Sequence, residues 1–352
     1  MRAAVYYGKE DLRLEDVPVP EPAQGELLLR VDACGVCPTD LKKIQKGLLP
    51  GPRVFGHEIA GTVAALGRGT SGWHEGQRVV VHHHVPCGAC FYCARRAYAQ
   101  CALYKKNGTT AGFEPSGGGY AEYVRVLDWI VRRGVVAIPD GVPAEEACFV
   151  EPVNTCLKAV EKAGIVREET VLVVGQGPIG LLLMQLARVA GARVVASDPL
   201  AERRALGAVL GASLVIDARE DVPGRVRELT DGRVADCALV AGGGAAAMAQ
   251  AVAATRPAGR VVSFAATSPG ECVEIDFGLL TTAEKDILTA YSSSIELQQK
   301  AADLVFSRAV RVRELVSHRF AMARAGEAFA LALRPAPGTL KVVLQMTGGD
   351  GR

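Results

Sequence analysis

Val171-Leu172-Val173-Val174-Gly175-Gln176-Gly177-Pro178-Ile179-Gly180 is an apolar tetrad running into three glycines spaced Gly-x-Gly-x-x-Gly. The tetrad has the length and β-branched content of a buried strand, and the stretch after it, Leu181 to Ala190, reads as a helix. Strand, glycine turn and helix in that order make a dinucleotide cradle. The glycines permit a tight turn and close backbone approach, and the helix N-terminus offers free N–H groups and a positive dipole end to a pyrophosphate. Gly175, Gly177, Pro178, Ile179 and Gly180 are therefore expected at the cofactor phosphates. The next apolar run, Val194 to Ser197, ends on Asp198, which can accept hydrogen bonds from the adenosine ribose and whose charge repels a 2′-phosphate. NAD is expected in preference to NADP, although Arg203 and Arg204 bring basic groups near that carboxylate.

Outward from this motif the texture differs in the two directions. Downstream, short apolar runs at Leu214 to Ile216, Ala235 to Val240 and Gly259 to Phe264 alternate with amphipathic segments, the pattern of a doubly wound parallel sheet. Upstream, short β-type runs such as Glu26 to Val31 and Gln77 to Val81 lie between Gly and Pro turns, which predicts an irregular β domain. Leu340 to Leu344, after Pro337-Gly338, reads as a strand returning to that first domain. The expected division is 1–153, 154–293 for cofactor binding, and 294–352 back in the first domain. A length of 352 residues suits two cores.

Composition narrows the function classes. Hydrophobic residues make up 49% and charged residues 22%, as in a folded globular protein, and the net charge of +2 is spread along the chain. Nucleic-acid and membrane partners lack electrostatic support. No apolar run has the length of a signal peptide core or a membrane span, so a cytoplasmic location is the expectation.

Ten cysteines in a reducing compartment read as ligands or small core residues in preference to disulfides. Cys87, Cys90, Cys93 and Cys101 have the spacing Cys-x2-Cys-x2-Cys-x7-Cys, which lets one loop wrap four thiolates round a tetrahedral Zn²⁺. All positions on that ion are then filled by protein, and the site is structural, in a lobe of about residues 86–104. Iron–sulfur clusters use other spacings, and a nucleic-acid zinc module would carry a basic stripe that is absent here.

Cys34-Gly35-Val36-Cys37-Pro38-Thr39-Asp40 and Gly56-His57-Glu58 are weak signals singly. Together with the four-cysteine loop and the dinucleotide motif, in this order, they resemble the zinc-containing medium-chain dehydrogenase/reductase family over essentially the whole chain. The resemblance implies an α/β protein with a GroES-like irregular β catalytic domain and a Rossmann doubly wound parallel-sheet cofactor domain. It makes Cys37 and His57 ligands of a catalytic zinc, with Glu58 beside the metal as a neighbouring or exchanging ligand. The third ligand falls in Glu151-Pro152-Val153-Asn154-Thr155, where Glu151 stands in place of the cysteine of simple alcohol dehydrogenases, as in the sorbitol and threonine dehydrogenase branch. Glu151 acts directly or through water, and Thr155 matches the position facing the nicotinamide.

The implied activity is hydride transfer between a secondary alcohol (polyol, sugar or amino alcohol) and NAD(H), with two Zn²⁺ per chain, a small-molecule alcohol or ketone as partner, and a homodimer or homotetramer. Thr39 begins the family's proton relay, and Lys42 stands where a histidine commonly completes it. Cys156 comes five residues late for the third ligand, and it and Cys34 are read as packing. In a strand His82, His83 and His84 point to alternate faces and do not easily bind one ion, while His74 and His318, for which the sequence reveals no partners, are read as surface or packing residues. An NADPH-dependent carbonyl or enone reductase without zinc would not need the set Cys37, Thr39, His57, Glu58 and Glu151, and a non-enzymatic relative is expected to have lost a ligand, whereas all are retained. Leu48 to Val54 and Lys105 to Gly119 are expected to border the cleft.

Overall fold

The structure, a computed structural model, describes residues 1–106, 108–114, 116–264 and 270–346. Asn107 and Pro115, in the stretch expected to border the cleft, and residues 347–352 of the C-terminal segment lie outside the described residues. The chain divides into two compact units, one of Met1–Asn154, Ser293–Arg308 and the chain from Val312, the other of Thr155–Ser292 and Ala309–Arg311.

In the second unit six strands form a wholly parallel sheet in the order Leu214–Asp217, Arg193–Asp198, Thr170–Val174, Ala235–Val240, Thr255–Ser263, Asp286–Thr289. Numbered along the chain this is 3-2-1-4-5-6, the Rossmann order, and strand order reverses beside Thr170–Val174, where such sheets bind ligands. All five residues of that central strand are buried, as a strand covered by helices on both faces requires. Helices Pro178–Val189, Ala201–Val209, Val222–Leu229 and Gly244–Ala253 follow successive strands. Val222, Val226, Met248 and Ala251 pack on Leu172, Val195 and Ala238 to close one core.

The first unit is built on a seven-stranded mixed sheet. Leu27–Gly35 pairs antiparallel with Glu58–Leu66 on one side and with Lys341–Gln345 on the other, so a late strand lies directly beside an early one. Gly35 is the register partner of both Glu58 and Val343, which fixes one end of the sheet as the meeting point of three chain segments. Among the described residues no helix is long and apolar enough to cross a membrane.

Candidate metal and cofactor sites

The register at Gly35 assembles the first candidate site. Cys37 lies just beyond one strand and caps helix Pro38–Lys46, where Pro38 supplies a pre-set first position; His57 directly precedes the paired strand. The Cys37 sulfur, a His57 ring nitrogen and a Glu58 carboxylate oxygen lie within 4.8 Å of one another. A Cβ on Gly35 would collide with the Glu58 carboxylate, so the close approach requires glycine there. Thiolate, imidazole and carboxylate are the donors that suit Zn²⁺.

Each donor is held by a neighbour. Asp40, in the first turn of the helix and 1% exposed, accepts from Nδ1 of His57 at 2.8 Å and from the Gly56 N–H at 3.2 Å. Burial alone would raise its carboxyl pKa, but the His57 ring, the hydrogen bonds and Lys43 hold it down to about 2. Burial opposes charge on His57 as well, and the Asp40 carboxylate and Cys37 more than offset it, so the imidazole sits well above its usual pKa. With Nδ1–H committed to Asp40, Nε2 is left for a metal, the carboxylate–histidine–zinc arrangement. The Cys37 N–H donates to the Tyr120 hydroxyl at 3.2 Å. Glu58 forms a buried ion pair with Lys341, a cation directly before the apolar run Val342-Val343-Leu344. Asp40→Asn is expected to weaken binding of the metal at Cys37 about 10- to 100-fold, read by competition with a chromogenic chelator; an unchanged affinity would show that Asp40 does not orient His57.

Glu151 stands outside this three-residue cluster. It lies in the first turn of helix Val150–Ala163, with Oε1 3.6 Å from Nδ1 of His83. The His83 ring is in turn 5.1 Å from that of His57. Burial, with His84, His57 and His82 nearby, pushes His83 well below the ordinary imidazole range and keeps it neutral. His82 Nδ1 meets Gln298 Oε1 at 2.9 Å, and the His84 ring stacks 5.3 Å from that of Tyr104, so the three histidines have three different surroundings. Thr39 and Lys42 are exposed on helix Pro38–Lys46. Cys34 and Cys156 are buried, and Cys156 Sγ faces the Ile179 carbonyl at 3.9 Å.

The four-cysteine lobe folds round its own sulfurs. Sγ of Cys93 is 3.5 Å from that of Cys90 and 3.8 Å from that of Cys87, and all four sulfurs lie within 4.8 Å of one another. A tetrahedral ion with Zn–S bonds of about 2.3 Å has sulfur–sulfur edges of about 3.8 Å. Backbone N–H groups of Ala89 and Cys90 hold the Cys87 thiol down to about 6, toward the thiolate a metal needs. Burial among the other thiols pushes Cys93 up to about 12, a penalty that a divalent cation at the centre removes. Among the described residues the buried members of the lobe's cluster are Cys93, Cys101 and Tyr104, with Cys87, Cys90 and Tyr98 packed against them.

In the second unit Gly175 turns the chain at φ 88°, and a Cβ at Gly180 would run into the Gly175 carbonyl. Gly177 caps helix Pro178–Val189 and brings no side chain to its N-terminus, leaving the first-turn N–H groups open to an anion. Asp198, 2% exposed, accepts from the Gln176 N–H at 2.7 Å and the Leu200 N–H at 2.8 Å, which ties strand end to glycine loop. Arg203 Nη1 is 3.8 Å from the same carboxylate, and Arg204 binds the Asp198 carbonyl and Asp217. Thr155 lies on helix Val150–Ala163.

The structure thus brings Cys37, His57 and Glu58 together, closes the four cysteines on one point, and gathers Gly175 to Gly180 with Asp198 and Arg203. Sequence reasoning missed Asp40, Tyr120 and Lys341 as neighbours of the first site, and His83 as neighbour of Glu151. Lysine in the run Leu340-Lys341-Val342-Val343-Leu344 was the available signal, since a charge on a buried strand needs a partner.

Comparison with known proteins agrees with this architecture. Residues 23–140 match the alcohol dehydrogenase GroES-like domain and residues 178–307 the zinc-binding dehydrogenase domain. The chain is 36% identical to an L-threonine 3-dehydrogenase of Pyrococcus abyssi over 80% of its length and 78% of the relative's. It is 32% identical to the erythritol/L-threitol dehydrogenase of Mycolicibacterium smegmatis over 91% of each. Among solved structures, a protein described as a zinc-binding dehydrogenase from Sinorhizobium meliloti 1021, bound to NADP, superposes with a TM-score of 0.88 at 29% identity, covering 98% of both chains.

Proposed function

The chain belongs to the zinc-containing alcohol dehydrogenase family of medium-chain dehydrogenases, and from that premise we propose an NAD-dependent oxidoreductase for secondary alcohols with a second polar group: polyols, sugars or amino alcohols. It is a dehydrogenase acting on small-molecule alcohols with zinc and a nicotinamide cofactor. The single observation that carries the finer reading is the donor cluster Cys37, His57 and Glu58 with Glu151 in place of a cysteine. Relatives named for threonine and for erythritol or threitol support the substrate class.

We assign one zinc to Cys37 and His57 with Glu58 and Glu151 alongside, and a second to Cys87, Cys90, Cys93 and Cys101. Zinc at the first position supplies Lewis acidity to a substrate oxygen, and nicotinamide supplies the hydride acceptor. The chain's own groups do the rest. Asp40 orients His57, and Lys341 neutralises Glu58 so that its buried carboxylate carries no unpaired charge. Thr39 accepts the substrate's hydroxyl proton and passes it toward solvent, with Lys42 on the same exposed helix face. Thr155 contacts the nicotinamide. Gly175, Gly177, Pro178, Ile179 and Gly180 give the pyrophosphate their backbone.

Asp198 keeps lone pairs beyond the two backbone N–H groups it accepts, and these serve the ribose hydroxyls. Its fixed charge favours NAD, while Arg203 tempers that preference. Asp198→Asn retains one acceptor oxygen and loses the charge. The ratio of kcat/KM for NAD over NADP is expected to fall roughly tenfold, about 1.4 kcal/mol, in steady-state assays; a constant ratio would remove Asp198 from cofactor choice.

Four thiols gathered on one point, which a metal binds only in reduced form, support a cytoplasmic setting. Strand Asp286–Thr289 is the edge of the parallel sheet and leaves Ile287 exposed, with Phe277 and Leu279 exposed nearby in sequence; this edge is the proposed contact of a homodimer or homotetramer. The reading is tested by a panel of polyols, amino alcohols and simple alcohols with NAD and NADP, followed by nicotinamide absorbance. Turnover of a diol or amino alcohol with NAD is expected. Turnover confined to simple alcohols, or to NADP, would overturn it.

A further inference from the structure

Two pairs of side chains link the segment before the cysteine lobe to helix Val150–Ala163. Glu151 and Asn154, three residues apart, share one face of that helix. Consecutive His82 and His83 stand opposite them. Asn154 and His82 are joined through Gln298, whose Oε1 lies 3.1 Å from the Asn154 amide and 2.9 Å from His82 Nδ1. Asn154 also accepts from the Ser294 N–H at 2.8 Å and donates to the Ser294 carbonyl at 3.0 Å. This fully buried network fixes the backbone on either side of the second pair, Glu151 and His83, at 3.6 Å. That spacing is just beyond a hydrogen bond.

His83 is 6% exposed, and its Nδ1 has no hydrogen-bond partner among the described residues. A buried polar nitrogen in that condition is rare and calls for a partner. The Glu151 carboxylate lies 3.6 Å away and, ionised, can only accept, so a bond between them requires the Nδ1–H tautomer. The His83 ring also lies beside that of His57, at 5.1 Å, so the pair borders the cluster of Cys37, His57 and Glu58.

We propose that His83 is a positioning residue for the third metal ligand: its Nδ1–H holds the Glu151 carboxylate beside the Cys37, His57 and Glu58 cluster. The proposal rests on the zinc reading above. Partners of this kind orient a ligand and tune its hold on the metal without touching the ion. The His83 Nδ1–H favours one orientation of Glu151, and removing it loses that restraint.

The test uses the full chain with Co²⁺ in place of zinc, whose visible spectrum reports the ligand set at the Cys37 site. His83→Phe keeps the ring's bulk and removes the donor. It is expected to change the Co²⁺ bands as Glu151→Gln does and to weaken metal binding at that site about 10- to 100-fold, with the metal on the four cysteines retained. His83→Asn, whose amide N–H can stand where Nδ1–H does, should recover most of the affinity and the wild-type bands. In a Glu151→Gln background His83→Phe should add nothing further, since both act through one contact. An unchanged spectrum and affinity in His83→Phe would overturn the proposal. So would an Asn variant as impaired as Phe, which would mark a packing role, and Asn carries the test if Phe does not fold. Wild-type protein that takes up no Co²⁺ beyond the four cysteines would sink the zinc reading itself, and this inference with it.

Discussion

Cys37→Ser is expected to abolish turnover while leaving the protein folded. The serine hydroxyl is a far poorer zinc donor than a thiolate at neutral pH, so the ion at this site is lost or held too weakly to act. Lewis-acid stabilisation is worth several kcal/mol of barrier, and at about 1.4 kcal/mol per tenfold its loss lowers kcat by roughly a thousandfold or more. The melting temperature should move little. Cys37 caps helix Pro38–Lys46 without a side-chain hydrogen bond, and the surrounding sheet holds its own core in Leu27, Leu29, Val31 and Ile59. Steady-state kinetics and thermal melting on one preparation decide the matter. Near-normal turnover would remove Cys37 from the catalytic metal.

Cys90→Ala should do the reverse. The lobe's buried cluster consists of Cys93, Cys101 and Tyr104, so its side chains supply almost no hydrophobic core without an ion to gather them. Structural zinc sites contribute on the order of 10 kcal/mol to the folding of small modules. Losing one of four thiolates forfeits several of these. In a unit of roughly 200 residues each kcal/mol moves Tm by about 2–4 °C, so a fall of about 10 °C is expected. Amide exchange should rise first between Cys87 and Tyr104. Some turnover should survive at low temperature, because neither the Cys37 cluster nor the glycine loop draws on these sulfurs. A variant with unchanged melting and exchange would show that the four cysteines do not form a structural site.

What could be read from sequence was what is local. The glycine loop declares itself because turn, strand and helix N-terminus are contiguous, and the four cysteines because a single loop supplies every ligand. Register was not legible. That Gly35 pairs with Glu58 and with Val343 follows only from the completed sheet, and it is this pairing that delivers Lys341 to a carboxylate 283 residues away. Asp40 was in plain view beside Cys37, but its role depends on His57 arriving from the next strand. His83 was discounted because strand neighbours alternate in direction. The strand ends at Val81 and the three histidines follow it, so strand alternation does not apply to them and says nothing of His83 meeting Glu151.

The two roles converge on a count of metal ions per folded chain, measured by mass spectrometry under native conditions. Two zincs are expected in the wild-type protein, one in Cys37→Ser, and a different one lost in Cys90→Ala. A single zinc in the wild type, or two retained in Cys37→Ser, would contradict the two-site assignment.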